Sequence, residues 1–143
     1  MEVARETDTA AILRFQRQDP EADWSGRPQL YVARLGGRVV GWAWIDERGA
    51  DDELFPGVSI WTLGVRTPFR GMGLGAALVG AAIERAQAGG HERVSVVVRA
   101  GNDPAVALYQ KLGFDRHRTP ALDAYLERRR ALGVDSIVFV RWL

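Results

Sequence analysis

The chain has 143 residues, of which 47% are hydrophobic and 26% are charged, and its formal net charge is +1. This is an ordinary balance for one globular domain with its own core, so we expect residues 1–143 to form a single domain, and the charge gives no support to nucleic acid as a partner. Because there is no cysteine, disulfides, thiolate metal sites and a cysteine nucleophile are excluded.

Strands dominate the first half of the predicted structure. In chain order we predict a strand at 2–6, a helix at 8–18, a loop or a single helical turn at 19–28, strands at Gln29–Leu35 and 38–46, an acidic loop at 48–57 and a strand at 58–66. Gly36-Gly37 is a strong signal for a two-residue hairpin turn between the second and third of these strands.

Helices and strands alternate in the second half. We predict a helix at 73–88, a strand at Arg93–Arg99, a helix at 104–112, a strand at 114–118, a helix at 121–132 and a strand at 136–143. The strand Arg93–Arg99 (RVSVVVR) is β-branched at most positions, which is typical of a strand buried on both faces. The whole pattern predicts a mixed α/β domain.

A glycine-rich stretch, RGMGLGA at residues 70–76, carries the clearest chemical signal. Gly71, Gly73 and Gly75 leave the backbone N–H groups unobstructed, and the helix that follows adds its unpaired N–H groups and the positive end of its dipole. Such a site suits a phosphate or a pyrophosphate. A turn that only tightens the packing of strand against helix is the structural alternative.

Two common phosphate sites do not fit this stretch. A P-loop needs Lys-Ser/Thr after its last glycine, where this chain has Ala76-Ala77. Gly71, Gly73 and Ala76 satisfy the dinucleotide pattern G-x-G-x-x-A, but that motif turns directly from the first strand of a parallel unit into a helix. Here the loop follows a third strand and a spacer, and the next strand ends in Arg99-Ala100 without an acidic residue.

Two segments resemble the GCN5-related N-acetyltransferase (GNAT) superfamily. Residues 70–75 match that family's pyrophosphate loop, Arg/Gln-x-x-Gly-x-Gly/Ala, at every fixed position. Downstream, Asn102-Asp103-Pro104-Ala105 and Tyr109-Gln110-Lys111-Leu112-Gly113-Phe114 resemble the family's N-x-x-A and Y-x-K-x-G-F segment. The resemblance covers nearly the whole chain. It implies an α/β (α+β) fold with a mixed, mostly antiparallel sheet of about six or seven strands, about four flanking helices and a splay between the fourth and fifth strands.

The resemblance also implies acetyl-CoA (coenzyme A) as cosubstrate, without a metal. The residues implied to bind the cofactor are Leu63, Val65, Arg70, Gly71, Met72, Gly73, Gly75, Ala76 and Asn102. Leu63 and Val65 would pair their backbone with the pantetheine arm, and the N–H near Val65 would polarise the thioester carbonyl. Asn102 would bond the same arm, or cap the helix at 104–112, or do both.

Tyr109 is the predicted general acid, which protonates the thiolate that leaves when an amine attacks the thioester. Its structural alternative is a helix residue packed beside Ala105 and Leu112. The general base is not evident, because many family members carry a glutamate on the fourth strand and residues 59–65 contain no carboxylate. Glu53, in the acidic loop, is a weak candidate; a water relay past Thr62 or Ser95, or an acceptor of low pKa, would also serve.

These residues predict a cytoplasmic N-acetyltransferase acting on a primary amine of a small molecule or a peptide, by direct attack on the thioester. The alternative is a CoA-binding GNAT module with little or no turnover and a sensing role. A homodimer is plausible by analogy, whereas a membrane is not an expected partner, because no apolar run is long enough to span one. Trp24, residues 46–57 and residues 119–134 are expected to shape the acceptor site. Arg128-Arg129-Arg130 is predicted to be a solvated helix face or a weak clamp for an acidic partner.

Overall fold

The computed structural model describes residues 2–6 and 29–143. The strands are β1 (Glu2–Arg5), β2 (Gln29–Leu35), β3 (Arg38–Arg48), β4 (Gly57–Val65), β5 (Arg93–Arg99), β6 (Asp115–Arg116) and β7 (Ser136–Trp142). The helices are α1 (Leu74–Ala88), α2 (Asp103–Lys111) and α3 (Pro120–Ala131), and a 3-10 turn covers Thr67–Phe69. All seven strands form one sheet in the order β1-β2-β3-β4-β5-β7-β6.

The predicted mixed, mostly antiparallel sheet is confirmed. Only β4 and β5 pair in parallel, and every other neighbouring pair is antiparallel. The predicted helix at 8–18, the loop at 19–28 and Trp24 lie outside the described residues. Within the described part of the chain, no helix combines the length and the apolar character needed to cross a membrane.

Local sequence signals account for most of the element boundaries. Gly36 and Gly37 both have positive φ, +56° and +77°, as the two-residue hairpin between β2 and β3 requires. The Asn102 side chain accepts a hydrogen bond from the Ala105 N–H and so caps α2. The Thr119 hydroxyl accepts one from the Leu122 N–H at 3.0 Å and caps α3.

Two strands differ from the prediction in length by more than one residue. β3 continues to Arg48 because Glu47 and Arg48 still pair with Val58 and Gly57 of β4. The predicted strand at 114–118 shrinks to Asp115–Arg116, since the chain must leave the sheet in time for Thr119 to cap α3.

The helices cover opposite faces of the sheet. α1 and α2 pack on one face, in a core that includes Leu78, Ile60, Val96 and Tyr109. α3 packs on the other face, where Leu122 meets Phe55 of the loop before β4 and Val138 of β7. We call these the α1/α2 face and the α3 face.

A β-bulge in β4 opens the centre of the sheet. Thr62 pairs with Trp44 and Ile60 pairs with Ile45, so Trp61 between them has no counterpart in β3. A residue inserted in this way bends its strand and increases its twist. On the other side, β4 pairs with β5 only over Val58 to Ile60, and the pairing stops where the bulge begins. The splay expected between the fourth and fifth strands therefore coincides with the bulge.

Gly64, which follows the bulge in β4, leaves room for the Trp42 side chain to pack against the strand. A Cβ added to Gly64 would lie 2.6 Å from Cε2 of Trp42, which lies opposite Gly64 on β3. We therefore expect Gly64→Ala to lower the free energy of unfolding by about 1–3 kcal/mol, because Trp42 must move. Chemical denaturation measures the change.

Gly80 supplies the matched control in the middle of α1. A Cβ there meets nothing within 4 Å, so Gly80→Ala should raise the free energy of unfolding by about 0.5–1 kcal/mol through helix propensity alone. Equal effects of the two substitutions would contradict this account of Gly64.

Candidate active site

A cleft of about 250 Å³ lies where β4 and β5 part. The cleft is lined by Ile60, Trp61, Thr62, Leu63, Val96, Val97, Val98, Arg99, Asn102, Ala105, Tyr109 and Arg129. It reaches both faces of the sheet, because Asn102 and Tyr109 belong to α2 and its cap, whereas Arg129 belongs to α3. Beyond the splay, β4 stays paired with β3 and β5 stays paired with β7, so each strand keeps an open inner edge.

The inner edge of β4 presents the backbone of Leu63 and Val65. The Arg66 N–H donates to the Val40 carbonyl across the β3–β4 ladder at 2.8 Å. Because the hydrogen-bonding direction alternates along an antiparallel ladder, Gly64 also faces β3, whereas Leu63 and Val65 face the cleft. The Val65 carbonyl on this edge accepts a bond from Arg70 Nε at 3.1 Å. The Val65 N–H thus lies on the open edge.

Two of the three glycines in the loop at 70–76 have a backbone conformation that favours glycine. Gly71 and Gly73 have φ of +79° and +81°, a left-handed conformation that other residues adopt only with strain. Gly73 is the N-cap of α1, and its carbonyl accepts the first helical bond, from the Ala77 N–H. The N–H groups of Leu74, Gly75 and Ala76 precede that bond and are those that a helix leaves unpaired at its start.

Gly75 lets the second helix approach the loop. A Cβ at this position would lie 3.3 Å from Cδ2 of Leu108 and 3.8 Å from Cδ2 of Leu63. The absence of a side chain therefore brings the start of α1 close to both α2 and the inner edge of β4. Arg70 and Met72 are exposed, and the Met72 side chain leaves 59% of its surface in contact with solvent.

Asn102 both caps α2 and lines the cleft, so its position is compatible with each of the two roles considered for it. Its Oδ1 accepts the Ala105 N–H at 3.3 Å, which is the capping bond, and the residue also lines the cleft. Its side-chain NH₂ takes no part in the cap, so that group remains for a ligand in the cleft.

Tyr109 lies deep at the cleft, with 4% of its surface exposed. Its ring packs edge-to-face on Phe114, with the centroids 5.4 Å apart. Burial raises the pKa of the Tyr109 phenol, because the phenolate loses its hydration there. The phenol is therefore protonated throughout the neutral range, so its O–H group is available as a donor.

No carboxylate of the described residues lines the cleft. Glu53 is exposed in the loop before β4 and does not line the cleft, so as a base it stays a prediction without geometric support. In its neighbour Asp52, partial burial opposes ionisation, but the pKa is lowered by the Phe55 and Leu54 N–H groups and by Arg48, which gives Asp52 a structural role in that loop. Among residues 2–6 and 29–143, no cluster of histidine and acidic side chains has the makings of a metal site.

The structure thus gathers most of the predicted residues at one place. Leu63, Asn102 and Tyr109 line the cleft, and the loop at 70–76 lies at the start of α1 beside it. Sequence reasoning missed two residues of the cleft. Trp61 lies in a bulge that no local sequence pattern predicts, and Arg129 points into the cleft. The run Arg128-Arg129-Arg130 was the only available signal for Arg129, and helical phase brings just one of the three into the cleft.

Comparison with known proteins gives matches to acetyltransferases over most of the chain. The sequence profile of the acetyltransferase (GNAT) family matches residues 3–114. Mycothiol acetyltransferase from Corynebacterium glutamicum is 34% identical over 97 residues, which are 68% of this chain and 32% of that protein. The mycothiol acetyltransferase from Saccharomonospora viridis is 33% identical over 116 residues, 78% of this chain and 37% of that protein. The chain therefore spans about a third of the length of these relatives.

Solved structures share the fold over the full chain. The ribosomal-protein-alanine N-acetyltransferase from Brucella melitensis has a TM-score of 0.69 at 18% identity, with 100% of both chains covered. A GNAT family acetyltransferase from Elizabethkingia anophelis, solved with acetyl-CoA bound, has a TM-score of 0.67 at 15% identity and covers 99% of this chain and 97% of its own. At such identities the likeness shows the fold alone.

Asn102 allows its two roles to be separated. Asn102→Asp keeps the capping oxygen, so its free energy of unfolding should stay within a few tenths of a kcal/mol of the wild type, whereas Asn102→Ala should lose about 1 kcal/mol. If the NH₂ group serves the cofactor as the resemblance implies, both variants bind acetyl-CoA more weakly. Denaturation and calorimetry measure the two effects, and unchanged binding in both variants would leave Asn102 as a cap only.

Proposed function

The chain belongs to the acetyltransferase (GNAT) family, and on that premise we propose that it transfers an acetyl group from acetyl-CoA to a primary amine. The observation that carries the proposal is the splay of β4 from β5, with the glycine loop and a buried, protonated tyrosine beside it on the α1/α2 face. Acetyl-CoA supplies an activated thioester carbon, and the remaining work falls to the residues around the cleft.

The start of α1 is suited to bind the pyrophosphate. The left-handed Gly71 and Gly73 turn the loop so that its N–H groups and those of Leu74, Gly75 and Ala76 stand open, and the helix dipole favours an anion there. Arg70 ties this loop to β4 through the Val65 carbonyl. The tie fixes the loop relative to the inner edge on which a thioester would lie.

The inner edge of β4 is suited to bind the amides of the pantetheine arm. Leu63 and Val65 direct backbone N–H and C=O groups into the cleft, so that an extended ligand there can pair as an added strand would. The Val65 N–H then donates to the carbonyl oxygen of the thioester and stabilises the negative charge that develops when the amine attacks. Asn102 adds a side-chain donor from the opposite wall.

Tyr109 donates its phenolic proton to the departing sulfur. Its raised pKa keeps the proton available at neutral pH, but it also makes the phenol a weaker acid than an exposed tyrosine. The same burial disfavours a thiolate in the cleft and raises the affinity of the sulfur for a proton. The shift at the sulfur therefore offsets part of the shift at the phenol, so proton transfer is less unfavourable than the raised pKa of Tyr109 alone would make it.

A CoA-binding module without turnover is the second candidate. It is favoured by one observation: among the described residues, no carboxylate lines the cleft to accept the proton of an ammonium. Thr62 does line it, as a relay through water requires, whereas Ser95 is fully buried. An acceptor that arrives as a free amine would not need a base at all.

The proposed acceptor is an amine of a small molecule or a peptide, and its identity is not assigned further. The name of the relatives makes a mycothiol-related small molecule one candidate, but the chain spans only about a third of those proteins. An acceptor would reach the thioester from the α3 face, since the glycine loop and α2 lie on the other face.

An assay for free CoA across a panel of amines tests the proposal. A thiol reagent should detect release that depends on both acetyl-CoA and an amine, and calorimetry should detect binding of acetyl-CoA alone. Binding without release for any amine would favour the module. Absence of binding at millimolar acetyl-CoA would overturn both candidates.

Tyr109→Phe tests the proposed acid. The variant keeps the ring that packs on Phe114, so the fold and the affinity for acetyl-CoA should be preserved, while kcat should fall by about 100-fold because the proton donor is lost. Steady-state kinetics with the best amine of the panel gives kcat and KM separately. An unchanged kcat would remove Tyr109 from the mechanism.

A further inference from the structure

Arg129 is a half-buried cation on the α3 face of the cleft, with neutral partners. Its Nε donates to the Ser136 hydroxyl at 3.3 Å and its Nη1 to the Tyr125 hydroxyl at 3.4 Å. The guanidinium carbon also lies 5.7 Å from the centroid of the Tyr125 ring. Among residues 2–6 and 29–143, Arg129 has no carboxylate within ion-pair distance.

Its neighbours in sequence behave differently. Arg130 pairs with Glu127 at 3.1 Å and with Asp135 at 3.4 Å, whereas Arg128 is exposed on the outer side of α3. Of the three arginines, Arg129 alone lines the cleft. Removing a guanidinium from water without a counter-ion is costly, so a position of this kind indicates a charge that a ligand supplies.

The donors that remain on Arg129 fit a carboxylate. A guanidinium has five N–H groups in a planar fork, and the two bonds to Ser136 and Tyr125 leave three, with both of those on Nη2 among them. Those two bonds also hold the fork in one orientation. A planar fork of this kind matches the two oxygens of a carboxylate.

We propose that Arg129 binds a carboxylate of the acceptor, so that the substrates are amines bearing a nearby carboxylate, such as amino acids or short peptides with a free C-terminus. The proposal rests on the proposed function, because it assigns the α3 side of the cleft to the acceptor. The cofactor's phosphates are assigned to the start of α1 on the other face, which leaves Arg129 to the second substrate. The absence of a carboxylate among the described lining residues favours the same charge.

Matched acceptor pairs test the proposal. L-Alanine against L-alaninamide and L-phenylalanine against L-phenylalaninamide differ in the carboxylate and little in shape. The wild type should use the carboxylate member with a kcat/KM at least about tenfold higher, as a charge-assisted bond allows. Arg129→Gln should reduce that ratio to about one, and Arg129→Lys should retain part of it.

Arg128→Gln is the matched control, since it removes the same charge one residue away from an exposed position outside the cleft. It should keep the wild-type ratio. A wild type that uses the amides as well as the acids would overturn the proposal. So would an Arg129→Gln variant whose main defect is a higher KM for acetyl-CoA, because that result assigns Arg129 to the cofactor.

Measurements of product binding distinguish a failure of this proposal from a failure of the proposed function. N-acetyl-L-alanine and N-acetyl-L-alaninamide resemble the products, and calorimetry in the presence of CoA measures their affinity without turnover. If no amine releases CoA but the acid binds at least about tenfold more tightly than the amide through Arg129, the enzymatic function fails and the carboxylate site stands. Equal binding of both in the wild type would overturn the site even in an active enzyme.

Discussion

The one extra residue in β4, Trp61, is the constraint on which the cleft depends. In a regular strand Ile60 and Leu63 would lie on opposite faces, yet both pack in the core under α1, because the bulge reverses the alternation. The strand beyond it stays bonded to β3, and β5 stays bonded to β7. The sheet therefore loses only hydrogen bonds between β4 and β5. The backbone N–H and C=O groups left unpaired there are those that an extended ligand needs.

The other parts of the site are brought to this opening by glycines and a helix cap. Gly75 allows Leu108 of α2 to approach the first turn of α1, and Gly64 allows Trp42 to pack over β4 from the α3 face. Asn102 begins α2 at the cleft wall, so that the same helix carries Tyr109 about two turns further along. The starts of α1 and α2 and the inner edge of β4 thus meet at the cleft, and each has backbone or side-chain hydrogen-bond donors that face it.

The sequence was informative wherever a local rule determines the backbone. Glycines at a hairpin, a Pro after a capping residue and the β-branched run RVSVVVR predicted β2, α2 and β5 to within a residue at each end. The loop at 70–76 was recognisable from its glycines, of which Gly71 and Gly73 have a positive φ, whereas its binding of a pyrophosphate stays a prediction. The bulge was not recognisable, since VSIWTLGV reads as a continuous strand and the extra residue is defined only by the partner strand. Arg129 was not either, because three consecutive arginines look alike until tertiary packing turns one inward.

The charges on the two faces of the cleft also bear on the missing base. The carboxylate of an amino acid stabilises its own ammonium group and makes that group hold its proton more tightly. In the proposed complex, pairing of that carboxylate with Arg129 would neutralise the stabilising charge. The amine then loses its proton to solvent more readily, without a glutamate on β4. In the proposed mechanism Tyr109, protonated on the opposite face, would supply the proton that the sulfur requires, so that the two proton transfers would occur on separate sides of the sheet.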